Sequence, residues 1–355
     1  MQAVFKGKKI TGMLSILPET IYKFDDETKN FPKARATRLK KIMGYEQRRR
    51  VKKETTTSEL CLFGMRYLLD QDLIQKADIG AIIVVTMTPD YFVPNVSNII
   101  HGECGLANDV VCVDIPQACT GLLVGLMEAF MLLDHMKKGK KVVVFTANVL
   151  CRKMIDQEVF EEPPFGGDAA TVTVVENDVA AEDIYFDLRM DGRERNSLIL
   201  PAGAFKFPWQ KEGVKVDVGD GVLREANHLN MDGSAVFNFV QREVPPLIDD
   251  LMDFAGCKKE DIDWYLFHQP NKFMLQKLAD KMGVPHEKMF MNIVEEFGNS
   301  GASVIGVNIV YNLGEKLKKQ KYDCCLSAFG GGMSWGAMVI KLGNMEFCEM
   351  LESTL

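Results

Sequence analysis

Hydrophobic and polar residues recur along this chain with two different periods, and the changes of period mark out its elements. Continuous apolar runs at Ala81–Thr86, at VVCVDIP just before Cys119, and at Val142–Leu150 predict buried strands, and Ala170–Glu176 alternates as a strand. Thr57–Asp70 has helical spacing with Thr57 or Ser58 as cap, and Asn95 opens a short helix that stops at Gly105. The run TGLLVGLMEAFMLL after Cys119 is apolar on almost every side, which predicts a buried helix. It is too short and interrupted for a membrane span, which needs about 20 apolar residues. Further on, a helical segment bends around Pro245–Pro246 and closes at Gly256. A strand then ends at His268, and a helix puts Met274, Leu278 and Met282 on one face. A second apolar helix covers Ala302–Leu317, and Cys324 and Cys325 sit side by side in a final strand, facing opposite sides. Gly7–Pro18 reads as a strand and turn, followed by a helical stretch of mixed charge to about Met43. Ala180–Asn230, rich in Gly, Pro and charge, reads as connector and surface lid.

The two halves of the chain echo each other. Lys76-Ala-Asp-Ile before the run ending at Val85 is answered by Lys259-Glu-Asp-Ile before Trp264–Phe267. CTGLLVG at Cys119 is answered by NSGASVIG at Asn299, with Gly121 matching Gly301. Each of these opens an apolar helix that ends in a lysine cluster, KKGKK or KLKKQK, and each cluster precedes a strand. Such echoes in one order indicate a duplicated α/β unit, with halves 1–180 and 181–355 and the connector at about 181–230. Cys119 and Asn299 then occupy equivalent helix starts. His268 ends the counterpart of the Ala81–Thr86 strand. Strand ends and helix starts are where α/β sheets form sites, so Cys119, His268 and Asn299 can meet.

Composition changes this picture little. Of 355 residues, 47% are hydrophobic and 26% charged, which is ordinary for a globular chain. The nine cysteines are scattered and odd in number, and the opening MQAVFKGKKITGML has no apolar signal core. Free thiols and a cytoplasmic location are expected. No close Cys/His spacing suggests a metal. A net charge of −7 argues against nucleic acid as a partner. Lys33–Lys53 is the exception: nearly half of it is basic, with Glu46 its single acid. It reads as a solvated face or as a docking surface for phosphates or an acidic partner.

Most buried cysteines are simply core. Cys119 differs because it stands at a glycine-flanked helix start, where unpaired N–H groups and the helix dipole favour a thiolate. It is the expected nucleophile of an acyl-transfer enzyme.

The motifs DIPQACTG around Cys119, FHQPN at Phe267–Asn271, EFGNSGAS around Asn299 and AFGGGMSWG at Ala328–Gly336 together resemble the thiolase superfamily, in particular its β-ketoacyl-ACP synthase III branch. The resemblance spans the whole chain and is weakest over Ala180–Asn230. Thiolases carry a second cysteine in a Cys-x-Gly segment where this chain has AFGGG, and elongating synthases use two histidines. Cys-His-Asn is the set of the initiating synthases and of chalcone-synthase-like enzymes, and the HQPN and GNSGAS contexts favour the former. The resemblance implies a thiolase-like fold of duplicated α/β halves in five α-β-α-β-α layers. It also implies a Cys119 acyl-enzyme and an oxyanion hole from the N–H groups of Cys119 and Gly331. Condensation with malonyl-ACP or malonyl-CoA would follow, its enolate held by His268 and Asn299. Acyl-CoA and malonyl-ACP would be substrates, with no cofactor. Coenzyme A thioesters or acyl carrier protein would be the partners, and the assembly a homodimer. Arg152, Asn271, Lys272 and Phe273 would lie toward the substrate.

Some family positions differ. The usual adenine-stacking tryptophan falls near Arg38, a phosphate-binding arginine falls at Ile42, and the arginine after HQPN becomes Lys272-Phe273. Gln117 stands where a small residue is usual. A specialised synthase is therefore expected. Passing the acyl group to an oxygen or nitrogen nucleophile, or a non-catalytic partner subunit, are the competing readings.

Overall fold

The computed structural model describes residues 1–152, 166–211, 213–219, 221 and 223–355. Its frame is a pair of sheets. The first, of six strands, runs Phe347–Ser353, Lys8–Pro18, Ala169–Asn177, Lys141–Asn148, Ile79–Val85, Val111–Ile115. The second, of five, runs Gln2–Phe5, Ile184–Met190, Ser334–Gly343, Lys321–Gly330, Trp264–Phe267.

The sequence echo is a structural repeat. Ile79–Val85 lies parallel to Lys141–Asn148, which pairs antiparallel with Ala169–Asn177, which pairs antiparallel with Lys8–Pro18. Trp264–Phe267, Lys321–Gly330, Ser334–Gly343 and Ile184–Met190 repeat that series. The chain passes from one sheet to the other between Asn177 and Ile184, and the terminal strands cross back. Gln2–Phe5 pairs with Ile184–Met190, and Phe347–Ser353 pairs with Lys8–Pro18.

Helices Gly121–Leu133 and Val304–Leu317 fill the space between the sheets, where Leu122, Leu126, Phe130, Ile305, Ile309 and Leu313 share one core with Val144, Leu326 and Met338. A helix with a sheet on either side must be apolar all round, which is what the sequence displays. Helices Thr57–Asp70 and Val96–Glu103 cover the outer face of the first sheet, and Gly233–Ala255 and Lys272–Met282 that of the second. The result is the five-layered α-β-α-β-α thiolase fold. Cys324 packs in the central core and Cys325 in the outer one, as strand alternation requires.

Three expectations need correction. Thr56, not Thr57 or Ser58, caps its helix, and its N–H donates to Glu59 Oε2 at 2.7 Å. The mixed-charge stretch before Met43 is broken into strand Ile21–Lys23 and helices Phe24–Glu27 and Lys33–Met43. Within the supposed connector, Ile184–Met190 is a central strand. Its buried Ile184, Phe186 and Leu188 alternate with polar residues, but the segment is too charged overall to stand out. Phe347–Ser353 is a strand that the sequence reading did not mark. No helix among the described residues is long and apolar enough to cross a membrane.

Candidate active site

The two central helices meet at their starts. A Cβ on Gly121 would stand 2.6 Å from Val85 Cγ1 and 2.8 Å from the Cβ of Ala302, so only glycine lets the helix starts approach this closely. Cys119 lies just before that helix. Facing it is Gly330, where a Cβ would come within 2.7 Å of Cys119 Sγ. Asn299 is oriented by its own turn. Its Oδ1 accepts the Gly301 N–H at 3.0 Å, and its carbonyl accepts the Gly167 N–H at 3.0 Å. Gly301, at φ +66°, supplies the left-handed bend. With Oδ1 engaged, the amide nitrogen is the end left to donate. His268 follows strand Trp264–Phe267, and its N–H donates to the Ser327 carbonyl at 2.8 Å. Gln269 beside it is buried, donating to Phe290 O at 2.9 Å and accepting from the Ile293 N–H at 2.9 Å.

Cys119, His268, Asn299 and Gly331 line one cavity of about 470 Å³. Its remaining wall is largely apolar, with Leu198, Leu200, Leu229, Met231, Met274 and Met333 all from the second half. Burial lowers the His268 ring to about 3, so it is neutral at ordinary pH. Its Nδ1 is sealed in without a hydrogen-bonding partner among the described residues. The neutral ring therefore carries its proton on Nε2 as a donor toward the cavity, because a buried N–H without an acceptor is costly.

Cys119 corrects the sequence reading. Burial pushes its thiol up to about 11, and the Cys119 and Gly331 N–H groups offset only part of that rise. The helix proper begins at Gly121, so Cys119 stands outside its first turn, and desolvation outweighs what the helix end supplies. The two N–H groups nonetheless lie close enough to the sulfur to favour its charged form.

The substrate-side residues fall elsewhere. Asn271 caps helix Lys272–Met282 by accepting the Met274 N–H at 2.8 Å. Lys272 pairs with Glu295 at 2.8 Å and packs over Gly44. Phe273 stacks on Phe237 at the surface, with ring centroids 5.8 Å apart. None of the three lines the cavity. The Arg152 side chain lies outside the described residues.

The basic run divides in two. Helix Lys33–Met43 buries no residue and is a solvated face. Arg48 and Arg49 are instead buried structural cations. Arg48 is fully buried, forms an ion pair with Glu27 and donates to Gly166 O at 3.0 Å. Arg49 donates to Pro18 O at 3.0 Å and pairs with Glu352. Neither is available for docking. Sequence reasoning also missed Ser334 and Thr120, a contact pair next to the site whose only signal was polarity inside apolar runs.

A cysteine, histidine and asparagine gathered between the halves of a duplicated α/β fold define a condensing enzyme of the thiolase superfamily. Residues 252–342 match the family model for the C-terminal part of 3-oxoacyl-[acyl-carrier-protein] synthase III. The β-ketoacyl-[acyl-carrier-protein] synthase III of Natranaerobius thermophilus is 31% identical, over 84% of this chain and 88% of that one. That of Lactococcus lactis subsp. lactis is 28% identical, over 94% and 99%. The crystal structure of a 3-oxoacyl-(acyl-carrier protein) synthase from Burkholderia xenovorans superposes with a TM-score of 0.91 at 28% identity, covering 99% of both chains. The chain belongs to the β-ketoacyl-ACP synthase III family and is an acyltransferase of that type.

Proposed function

We propose that the chain loads an acyl group onto Cys119 and condenses it, with loss of CO₂, with a malonyl thioester on acyl carrier protein or coenzyme A. The observation that carries this reading is the shared cavity of Cys119, His268, Asn299 and Gly331. In the first step the Cys119 S–C bond forms, the donor's C–S bond breaks, and the thiol proton passes to the departing thiol. The tetrahedral oxygen sits between the Cys119 and Gly331 N–H groups. In the second step the malonyl carboxylate leaves as CO₂. The enolate oxygen accepts hydrogen bonds from His268 Nε2 and the Asn299 amide, both neutral donors that stabilise it without protonating it. Its carbon then attacks the acyl carbonyl. The C–S bond breaks, and Cys119 leaves as thiolate and takes up a proton. These steps call on no metal or organic cofactor.

The thioester donor would arrive near the exposed helix Lys33–Met43, which adjoins the start of helix Lys272–Met282. A homodimer in the cytoplasm belongs to the same reading. Edge strand Val111–Ile115 is paired on one side only, Val111 is 45% exposed, and the loop bearing Tyr91, Phe92 and Val93 stands out in solvent.

Intact-protein mass spectrometry after incubation with acyl-CoAs and acyl carriers, then malonyl carrier, tests the proposal. The expected result is an adduct on Cys119 that disappears with release of CO₂. No adduct with any donor would overturn the reading. An adduct that hydroxyl or amine acceptors discharge, while malonyl carrier does not, would replace it with simple acyl transfer.

A further inference from the structure

Beneath the nucleophile, three polar side chains link the Cys119 segment to the glycine turn. Gln117 Nε2 donates to Thr120 Oγ1 at 2.7 Å and to Ser334 Oγ at 3.1 Å. The two hydroxyls lie 2.9 Å apart, and Ser334 Oγ donates to the Gly331 carbonyl at 3.0 Å. Thr120 is 0% and Ser334 2% exposed. Proton accounting fixes the direction of every bond. Ser334 has one hydrogen, and Gly331 O takes it. Towards Thr120 and Gln117, Ser334 therefore accepts. Thr120 must spend its own hydrogen on Ser334, so it accepts from Gln117. The two amide hydrogens of Gln117 supply the rest.

Gly331 needs such a tie. It lies within Gly330–Gly332, the most permissive backbone available. The nearest side-chain atoms to a Cβ placed there are at 3.6–3.8 Å, so close packing does not immobilise it. Met333, two residues on, is fixed independently by a pair of backbone bonds to Asp191, at 2.8 and 2.9 Å. The Gly331 carbonyl has Ser334 instead.

We propose that Gln117 is a positioning residue. By donating to both hydroxyls it fills one acceptor site on each and favours the arrangement in which Thr120 donates to Ser334 and Ser334 to the Gly331 carbonyl, and so holds the Gly331 N–H on Cys119. Without Gln117, Ser334 is free to turn its hydrogen to Thr120 and release the glycine. The inference builds on the acyl-enzyme reading. The Gly331 N–H is one of the groups opposing the burial of the Cys119 thiol, so loosening it carries a pH signature.

The test uses Gln117→Met, Ser334→Ala, the double variant and Ser334→Thr. Alkylation of Cys119 by iodoacetamide is followed against pH, and kcat and KM are measured for acyl transfer. In both single variants the alkylation profile is expected to move up by about one pH unit. The kcat should fall by about tenfold with KM unchanged. The double variant should be no slower than Ser334→Ala alone, because both act on one bond. Ser334→Thr keeps the hydroxyl and should match the parent in both measurements. Additive losses, an unmoved alkylation profile or an effect confined to KM would overturn the proposal. Alkylation needs no acyl donor. Failure of Cys119 to accept any acyl group would therefore sink the acyl-enzyme reading while leaving this readout intact.

Discussion

The corners holding Cys119 and Asn299 are one position used twice, and each is completed by the opposite half. Cys119, in the first half, faces the Gly330–Gly332 turn that precedes strand Ser334–Gly343 of the second half. Asn299, in the second half, is bridged by Gly166 and Gly167, just before strand Ala169–Asn177 of the first half. In each glycine run one carbonyl takes a hydrogen bond of 3.0 Å from a buried donor. Ser334 Oγ serves Gly331, and Arg48 Nη1 serves Gly166. The frame is shared while the donors differ: a hydroxyl in an uncharged network on one side, a guanidinium paired with Glu27 on the other. Duplication thus supplied the geometry, and the chemistry diverged around it. Beside the nucleophile a neutral network leaves the thiol's charge to the N–H groups. Beside Asn299, which never ionises, the donor is half of a buried ion pair.

The sharpest way to break the comparison is to remove one functional group at a time. Cys119→Ala should lower acyl transfer and condensation alike by at least about 10⁴-fold, since no nucleophile remains. Asn299→Ala should separate the steps. Loading of Cys119, read as an intact-mass adduct, should persist, while CO₂ release and product formation fall by roughly 10²–10³. Equal loss of loading in both variants would mean that the two corners do not divide the work.

Much of this was legible in the sequence because the repeat constrains it twice. A cysteine and an asparagine at matched glycine-bearing helix starts, with a histidine at the end of a matched strand, are brought within reach of one another by the repeat, and the resemblance implies their roles. What supports them was not legible. Arg48 belongs to a run of positive charge that composition assigns to the surface, and only the fold reveals that it buries against Gly298 and Glu27. The Cys119 thiol followed the same pattern. Its place at a helix start was visible, but the desolvation that governs its protonation depends on distant segments closing over it. Ile184–Met190 escaped because its apolar face is only every second residue of a charged stretch.

The two glycine clamps should also differ in stability. Arg48→Met removes the ion pair of the Glu27 carboxylate, only 10% exposed, leaving the Tyr45 hydroxyl to serve it, and should cost about 3–5 kcal/mol in denaturant unfolding. Ser334→Ala removes one neutral donor and should cost about 1–2 kcal/mol. Equal costs would mean that the guanidinium–carboxylate pair adds nothing beyond its bond to Gly166.

The smallest expected effect concerns His268, which stands between the two corners. Its ring is held neutral by burial, with a folded value of about 3 against an ordinary value near 6.5. Below pH 6.5 the unfolded chain binds a proton that the folded chain refuses. Stability is therefore fully present above that pH and is lost at about 1.4 kcal/mol per unit as pH falls toward 3. His268→Asn has no such proton to refuse. The difference in unfolding free energy between parent and variant should be nearly constant from pH 8 to 7 and should shift in the variant's favour by roughly 1.4 kcal/mol at pH 5.5. In the same window, the decarboxylation step of the parent should show no inflection near 6.5, because the donor is neutral on both sides of it. A histidine that titrates normally would reverse both results, giving a flat stability difference and a break in rate. The enolate would then meet an imidazolium able to protonate it, so the neutral donor pair formed with Asn299 depends on His268 staying buried.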